Sequence, residues 1–290
     1  MASLRLIKGR IRSTKNIAQI TKAMQMVAAS KMKKAQEIAV SGKPYVEKIY
    51  EAVQELSKHS EKDIHPLFRE GNKKGDTLVI LISTNKGLCG GLNANLFRKV
   101  AQWFLPYESV KYITVGKKGE NYIVRNKKGL LADFSETVPF VASVPALSQL
   151  VVDGFLSGQY KEVYCVYNLF ENALKQVPTK KMIIPITDFS LEKGEEKSMQ
   201  DEKFSEFIVE PAPEQVLDAL LPFYIENQIR ASILEAAASE YSAQMIAMKN
   251  ATDAAMDLTS ELTLIFNKIR QEKITYEIAD MVTARATVAN

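Results

Sequence analysis

Helix-breaking residues are absent from the C-terminal part of the chain. The last of its 13 glycines is Gly194 and the last of its 10 prolines is Pro222, so residues 223–290 contain neither type. Residues 10–41 also lack both. Because glycine and proline are the strongest interruptions of regular helices, their absence argues against loop-rich structure in these segments. It predicts a long helix near each end of the chain.

Cysteine and histidine are scarce, which limits the chemistry available. Cys89 and Cys165 lie far apart in sequence, which is typical of reduced, buried thiols rather than a disulfide framework. His59 and His65 lack a carboxylate or cysteine cluster at metal-ligand spacing. Cys89 could act as a nucleophile only if a histidine approached it in the fold. We therefore expect no catalytic residue, no cofactor and no metal.

Long apolar runs are also missing. The longest extends only from Leu78 to Ile82, whereas a membrane span needs roughly 20 apolar residues. No apolar stretch near the N-terminus resembles a secretory signal. These absences predict a chain located in the cytosol.

Acidic residues are absent from the first 36 positions, which contain nine lysines or arginines. Residues 223–290 contain six basic and nine acidic residues, and the net charge of the whole chain is only +4. A cationic segment in a nearly neutral protein indicates an acidic partner. The residues alone leave open a nucleic acid, an anionic membrane, a mitochondrial transit peptide or an acidic protein surface, and they favour the last.

Heptad spacing supports two amphipathic helices that pack together. In the C-terminal segment, seam residues recur in steps of three and four: Met245, Met248, Thr252, Ala255, Thr259, Leu262, Phe266, Ile269, Lys273 and Tyr276. In the N-terminal segment the predicted seam contains Leu4, Ile7 and Ile11 and then, after a one-residue phase slip, Ile17, Ile20, Met24 and Val27. An antiparallel pair that starts at Lys43 and Phe223 places residue 1 opposite residue 265.

The middle of the chain has the pattern of an α/β domain. Predicted strands are Thr77–Ser83, Lys111–Val115, Glu162–Leu169 and Lys181–Thr187, with an edge strand at Phe204–Val209. Predicted helices are Leu92–Leu105, Lys117–Arg125 and Pro145–Ser157. Alternation of strands and helices indicates a mainly parallel sheet. The expected boundaries are an N-terminal coiled-coil helix with its extension at 1–60, the α/β domain at 75–210 and a C-terminal coiled-coil helix at 211–290.

A glycine-rich turn, Gly87–Asn93, follows the first predicted strand, where α/β proteins often bind phosphates. The turn matches neither the dinucleotide fingerprint nor the P-loop, because Lys86 precedes the glycines. A tight strand-to-helix turn is the favoured interpretation. A phosphate- or nucleotide-binding protein with helical extensions remains the alternative.

Four blocks in the sequence resemble the gamma subunits of bacterial F-type ATP synthases. The blocks are Ile20–Met32, Ser83–Asn93, Ala247–Asp253 and Asn267–Thr275, in the family order. The resemblance covers the whole length and implies a fold of α/β plus coiled coil, in which an antiparallel coiled coil of N- and C-terminal helices joins a central Rossmann-like α/β domain. It also implies that the first helix starts without a leader peptide.

The resemblance implies a function as the central-stalk rotor of the proton-translocating complex. Such a rotor is expected to couple rotation of the c-ring to the conformational cycle of the catalytic beta subunits and not to be an enzyme itself. The implied partners are the alpha, beta and epsilon subunits and the c-ring, with no nucleic acid and with membrane contact only through the complex. The implied location is the cytoplasmic face of the bacterial plasma (inner) membrane, as a peripheral protein.

Six residues carry the contacts that the resemblance implies. Lys22, Met24 and Lys31 are expected to face an acidic lever segment of beta, whereas Arg270, Gln271 and Thr275 are expected to meet loops around the upper shaft. Met281 to Asn290 are expected to lie in an apolar bearing. Two departures stand out, because family members often have Asp-Arg at positions 85 and 86 and arginine at position 244, where this chain has Asn85, Lys86 and Gln244.

Overall fold

A computed structural model describes residues 4–58, 65–107, 109–186 and 213–288. The edge strand predicted at Phe204–Val209 lies outside the described residues, and so does His59. Within the described residues, no helix combines the length and the apolar character that crossing a bilayer requires.

Two long helices flank the α/β region. Helix α1 extends over Leu4–Lys58, and a second long helix extends over Pro213–Val288. The first continues through Gly42 and Pro44, where the pattern of breakers predicted an end. Ile49 and Val53 beyond the proline are buried in the domain core, so tertiary packing outweighs the local cost of these residues.

The elements between the long helices alternate between strands and helices. They are β1 (Asp76–Ile82), α2 (Leu92–Trp103), β2 (Val110–Val115), α3 (Lys117–Arg125), β3 (Gly129–Asp133), α4 (Val144–Leu156), β4 (Tyr160–Phe170) and β5 (Gln176–Ile184). The long C-terminal helix is therefore α5. This order confirms the predicted α/β class, and α3 has the predicted bounds.

The sheet has the strand order β3-β2-β1-β4-β5. Its first four strands are parallel, and β5 pairs with β4 in the antiparallel direction. The pattern missed β3, because this edge strand alternates between exposed and half-buried residues and has no buried apolar run. Strand β5 begins at Gln176, before the predicted Lys181, because pairing with β4 draws in polar residues.

Alternating residues of β1 enter two cores on opposite faces of the sheet. Leu78, Ile80 and Ile82 pack in the larger core, which also contains buried residues of α1, α4 and α5. Val79 and Leu81 pack in the smaller core with residues of α2 and α3. Burial on both faces explains why β1 is continuously apolar from Leu78 to Ile82.

The chain divides into two compact units. One comprises Met1–Ser30 and Gln244–Asn290, and the other comprises Lys31–Ala243. The first unit contains the paired outer parts of α1 and α5. The second contains the sheet, α2, α3, α4 and the remaining parts of both long helices.

The helix pair of the first unit has a seam of small residues. The buried seam residues on α1 are Ile7, Thr14, Ala18 and Ala28, and those on α5 are Met248, Thr252 and Ala255. The hydroxyls of Thr21 and Thr252 are joined by a hydrogen bond of 2.7 Å. Such side chains let two helix backbones approach closely.

The predicted seam is confirmed on α5 for Met248, Thr252 and Ala255 but is wrong for part of α1. Ile17, Ile20 and Val27 are 50%, 60% and 55% exposed. The α1 seam needs no phase slip, because the small residues beside these larger ones continue the heptad spacing. On α5, Lys273 and Tyr276 are exposed, so the prediction that the seam includes them is also wrong.

The register of the pair also differs from the prediction. The predicted pairing placed Thr21 opposite Met245, seven residues before its observed partner Thr252. Counting equally in opposite directions from that contact brings Leu4 beside Ile269. The difference arises because the prediction took Lys43 and Phe223 as the inner ends, whereas α1 and α5 both continue past those residues.

Candidate functional site

The carboxyl ends of β1 and β4 form the position where an open α/β sheet most often binds a ligand. Strand order reverses there, since β2 and β3 lie on one side of β1 and β4 lies on the other. The glycine-rich turn Gly87–Asn93 also begins here, after β1. A phosphate-binding site in this domain would therefore include this edge.

The turn Gly87–Asn93 is closed by its own side chains. Asn93 donates to the Thr84 hydroxyl over 2.7 Å and to the sulfur of Cys89 over 3.4 Å. Its carbonyl oxygen accepts from the Thr84 backbone N–H over 3.4 Å. Leu88 and Gly90 have left-handed φ values of 67° and 59°. These features support a tight strand-to-helix turn, the favoured interpretation.

Helix α5 covers the crevice above the turn. The Ser239 hydroxyl donates to the backbone carbonyl of Asn168 on β4 over 2.8 Å. A cavity of about 10 Å³ is left beneath the helix, lined by Ile82, Ser83, Thr84, Leu92, Phe140, Asn168, Ile233, Ala236, Ala237 and Glu240. This volume is at the lower limit for one water molecule and is too small for a phosphate group. The nucleotide-binding alternative thus has no room at its expected site.

The buried thiols have the environment of structural cysteines. Burial raises the pKa of Cys89, and burial raises the pKa of Cys165 to about 12. His65, the histidine within the described residues, accepts from the Leu67 N–H and lies 3.1 Å from Asp218 rather than beside a thiol. The described residues contain no acid, cysteine and histidine cluster that could hold a metal. The thiol–histidine pair that a nucleophilic Cys89 would need is therefore not formed by Cys89 and His65.

The predicted contact residues lie mostly on exposed faces of the long helices. Lys22 and Lys31 are exposed on α1, and Met24 between them is half-buried. Lys22 has no ion-pair partner among the described residues. Lys31 lies in the second unit, where its amine is 5.6 Å from the ring centre of Tyr241.

The other three predicted contact residues are grouped on α5. Arg270, Gln271 and Thr275 are exposed and lie beyond the level of Leu4, where α1 begins. The Thr275 hydroxyl donates to the Gln271 carbonyl over 3.0 Å. Arg270 has no ion-pair partner within the described part of the chain. The structure does not bring this group together with Lys22 and Met24, which lie further along the paired region.

An outer stripe on α1, defined as Ile17, Ile20 and Val27, adds apolar surface beside Lys22 and Met24. Sequence analysis assigned this stripe to the internal seam because its residues are large and regularly spaced. The signal that distinguishes the two faces is the neighbouring repeat of Thr14, Ala18, Thr21 and Ala28, which keeps heptad spacing without a slip.

Asn85, one of the departures from the family pattern, has a local structural role. Its carbonyl oxygen accepts from the backbone N–H of Lys117 over 2.8 Å at the start of α3. Its amide donates to the Ser135 carbonyl over 3.0 Å. An aspartate could supply the first of these hydrogen bonds but not the second, so the asparagine suits this loop arrangement.

Comparisons with known proteins give matches over the whole chain. The family model described as ATP synthase matches residues 3–288. The ATP synthase gamma chain of Dehalococcoides mccartyi strain 195 is 40% identical over 295 residues, with 100% of both chains covered. That of Opitutus terrae is 42% identical over 301 residues, again with 100% of both chains covered.

Solved structures show the same fold. A chain of the Tetrahymena thermophila mitochondrial ATP synthase central stalk and c-ring structure has a TM-score of 0.57 at 24% identity, with coverage of 80% of this chain and 99% of that chain. A chain of the Euglena gracilis OSCP/F1/c-ring structure has a TM-score of 0.65 at 16% identity, with coverage of 98% and 94%.

Proposed function

We propose that the paired helices of this chain turn within a ring of alpha and beta subunits. The chain belongs to the ATP synthase gamma-chain family and is a non-catalytic subunit of the central stalk. The orientation of the paired helices sets the state of each catalytic beta subunit. The observation that carries this proposal is the full-length match to gamma chains at about 40% identity.

The surface of the helix pair suits a rotor that makes temporary contacts. Its seam is closed internally by small residues such as Ala18, Ala28 and Thr252, so rotation need not disturb it. Shifting a two-state partner from 1:99 to 99:1 takes about 5.5 kcal/mol of differential interaction. Exposed ion pairs of roughly 0–1 kcal/mol each, together with steric displacement, can approach this value without locking the rotor.

The proposed contacts with the catalytic ring form two groups. Lys22, Met24 and Lys31 face an acidic segment of beta, and the exposure of both lysines supports this assignment. Arg270, Gln271 and Thr275 meet loops around the upper shaft, and the end of α5 lies in an apolar bearing. Exposed Met281 and Val282 supply apolar surface for that bearing.

The remaining partners are the epsilon subunit and the c-ring, which contact the α/β domain and the lower part of the helix pair. The chain is a peripheral subunit at the cytoplasmic face of a bacterial plasma membrane. In fractionated cells it should sediment with membranes through the complex and remain soluble, without detergent, once released. A requirement for detergent to dissolve the isolated chain would contradict this location.

Charge reversal tests the proposed contacts directly. Lys22→Glu, Lys31→Glu and Arg270→Glu would each replace attraction to an acidic loop by repulsion. In the assembled complex we expect ATP hydrolysis to continue while proton pumping per ATP falls. Hydrolysis and pumping should be measured on the same membrane vesicles, so that loss of coupling is separated from loss of enzyme.

Lys99→Glu is the matched control, because Lys99 is also exposed but lies on α2 of the α/β domain. It should leave coupling unchanged. Normal coupling in all three helix variants would contradict their assigned role. An equal loss in the control would indicate a general charge effect instead.

A further inference from the structure

The side chain of Asn168 contains a buried acceptor that lacks a donor. Asn168 lies on β4 and is only 3% exposed. Within the described residues, its carboxamide oxygen Oδ1 has no hydrogen-bond partner. A buried acceptor left in this state is unfavourable, because it has given up its hydrogen bonds to water.

Glu240 of α5 shares the small cavity of Asn168. The hydroxyls of Ser83 and Thr84, which also line it, already donate to the Gly116 carbonyl over 3.0 Å and to the Lys86 carbonyl over 2.6 Å. An ionised carboxylate has only acceptors, whereas a carboxylic acid has one O–H donor. Protonated Glu240 can therefore supply the donor that Asn168 lacks.

Ionised Glu240 has a different partner within the same unit. Lys31 of α1 lies with its amine 5.6 Å from the ring centre of Tyr241, the next residue on α5, and its charge favours the carboxylate of Glu240. The other titratable groups that face this carboxyl are Cys89 from the turn after β1 and Tyr241 itself. Both stay neutral at pH 7, because burial raises the pKa of each.

The two forms of Glu240 are close in free energy at neutral pH. Burial raises the pKa of its carboxyl to about 7, and Lys31 opposes this rise. A cavity of about 10 Å³ holds one water molecule at most, and the glutamate side chain that lines the same cavity offers a donor when it is protonated.

We propose that Glu240 is a proton-binding switch that chooses between Asn168 and Lys31. With a proton taken from solvent, its O–H donates to Asn168 Oδ1. After that proton returns to solvent, the carboxylate pairs with the Lys31 ammonium group. The ligand of this site is a proton. Lys31 is paired within the chain only when Glu240 is ionised, and its ammonium group is available to a partner when Glu240 is protonated.

One consequence rests on the proposed function. Lys31 is among the residues assigned to an acidic segment of beta, so that segment and ionised Glu240 compete for the same ammonium group. Engagement of Lys31 by the partner would then favour uptake of a proton by Glu240. The switch itself requires no partner and is tested on the isolated full-length chain.

The test is an NMR titration of carboxyl carbons in the full-length chain labelled with ¹³C-glutamate, with Glu240→Gln used to assign the signal. Asn168→Ala removes the acceptor and should lower the proton affinity of Glu240 by roughly two- to tenfold, the usual effect of one neutral hydrogen bond. Lys31→Met removes the counter-charge and should raise that affinity. An unchanged or raised affinity in Asn168→Ala would overturn the proposal.

A stability comparison covers the case in which Asn168→Ala does not fold. Glu240→Gln places an uncharged N–H donor beside Asn168 at every pH, whereas Glu240→Leu is similar in size and has none. In urea unfolding at pH 8, the glutamine variant should be the more stable despite its lower hydrophobicity. Equal or greater stability of the leucine variant would contradict the proposed hydrogen bond.

Discussion

His65 is held in one tautomer by partners on both ring nitrogens. Nδ1 accepts from the Leu67 backbone N–H over 3.1 Å, so Nε2 carries the proton and lies 3.1 Å from Asp218 of α5. Burial lowers the pKa of His65, and the charge of Asp218 opposes this effect. Protonation of Nδ1 would remove the acceptor that the Leu67 N–H requires.

This arrangement predicts a pH-dependent part of the stability. Because the folded pKa lies below the unfolded value of 6.5, the unfolded chain binds more protons in this range. The contribution of His65 is complete above pH 6.5 and is lost as the pH falls through the folded pKa. The rise in unfolding free energy from pH 5 to pH 7.5, measured by urea titration, should be smaller in His65→Gln than in the native chain.

The comparison between the two chains separates His65 from other groups. Glu240 has a raised pKa and contributes a change of the opposite sign, but it does so equally in both proteins. His59→Gln is the control, since it removes the second histidine of the sequence. The same pH dependence in native chain and His65→Gln would rule out this role.

Gly116 occupies a position that no other residue can adopt easily. Its φ is 106°, and an added Cβ would lie 2.2 Å from the Ser83 carbonyl oxygen. Gly116→Ala should lower the free energy of unfolding by about 2 kcal/mol or more, from backbone strain and this contact. Gly87→Ala is the control in the same domain, because a Cβ at Gly87 meets nothing within 4 Å. Similar urea midpoints for both variants would contradict the argument.

At the scale of elements, local sequence patterns predicted a strand that is buried on both faces of the sheet but missed one that is not. Strand β1 is apolar from Leu78 to Ile82 because its alternating residues, such as Leu78 and Val79, enter different cores. Strand β3 is one-sided and short, so its residues had no comparable signal. The end of α1 was predicted too early because Pro44 indicates a helix end locally. The burial of Ile49 and Val53, which favours continuation of the helix, depends on tertiary contacts that the local sequence does not show.

The candidate contact face could be predicted only in part, for a related reason. The lack of acids in the first 36 residues predicted a cationic surface, and the family resemblance selected Lys22 and Lys31 within it. Which face of α1 is outward depends on the seam. Size and apolarity assigned Ile17 and Ile20 to the inside, whereas close helix packing selects Ala18 and Thr21 instead.

The small-residue seam predicts effects of different size at two neighbouring positions. Ala28 is 1% exposed, so Ala28→Leu should overpack the helix pair and destabilise it by about 1–3 kcal/mol. Val27→Leu adds a methylene group on the exposed face and should change stability by less than about 0.5 kcal/mol. Urea unfolding monitored by circular dichroism distinguishes them. A larger loss of unfolding free energy in Val27→Leu would contradict the observed seam and support the one predicted from the sequence.

At the scale of the whole molecule, the two compact units differ in how they bury apolar surface. Lys31–Ala243 has a sheet with a core on each face, whereas the other unit relies on one narrow helix seam. Every residue from Arg270 to Arg285 is exposed, including Tyr276 and Met281. A single helix of this length is marginal in water, so it adds little to the stability of the isolated chain.

Removal of residues 271–290 tests this conclusion. The isolated truncated chain should have a free energy of unfolding within about 0.5 kcal/mol of that of the full chain, because the side chains of residues 271–285 are exposed. Its assembly with alpha and beta subunits should weaken, because the truncation removes the proposed bearing contacts. Urea unfolding and size-exclusion chromatography of the mixed subunits measure the two effects. A clearly less stable isolated chain would show that the segment packs on its own protein.

The close contact between Ser239 of α5 and the Asn168 carbonyl matters for a subunit that works next to nucleotide-binding catalytic subunits. A rotor that bound ATP itself would compete with the neighbouring catalytic subunits for their substrate and product. Here α5, which is distant in sequence, fills the crevice where a nucleotide would bind. Engineering a phosphate loop after β1 would therefore not create a nucleotide sensor unless α5 were also displaced.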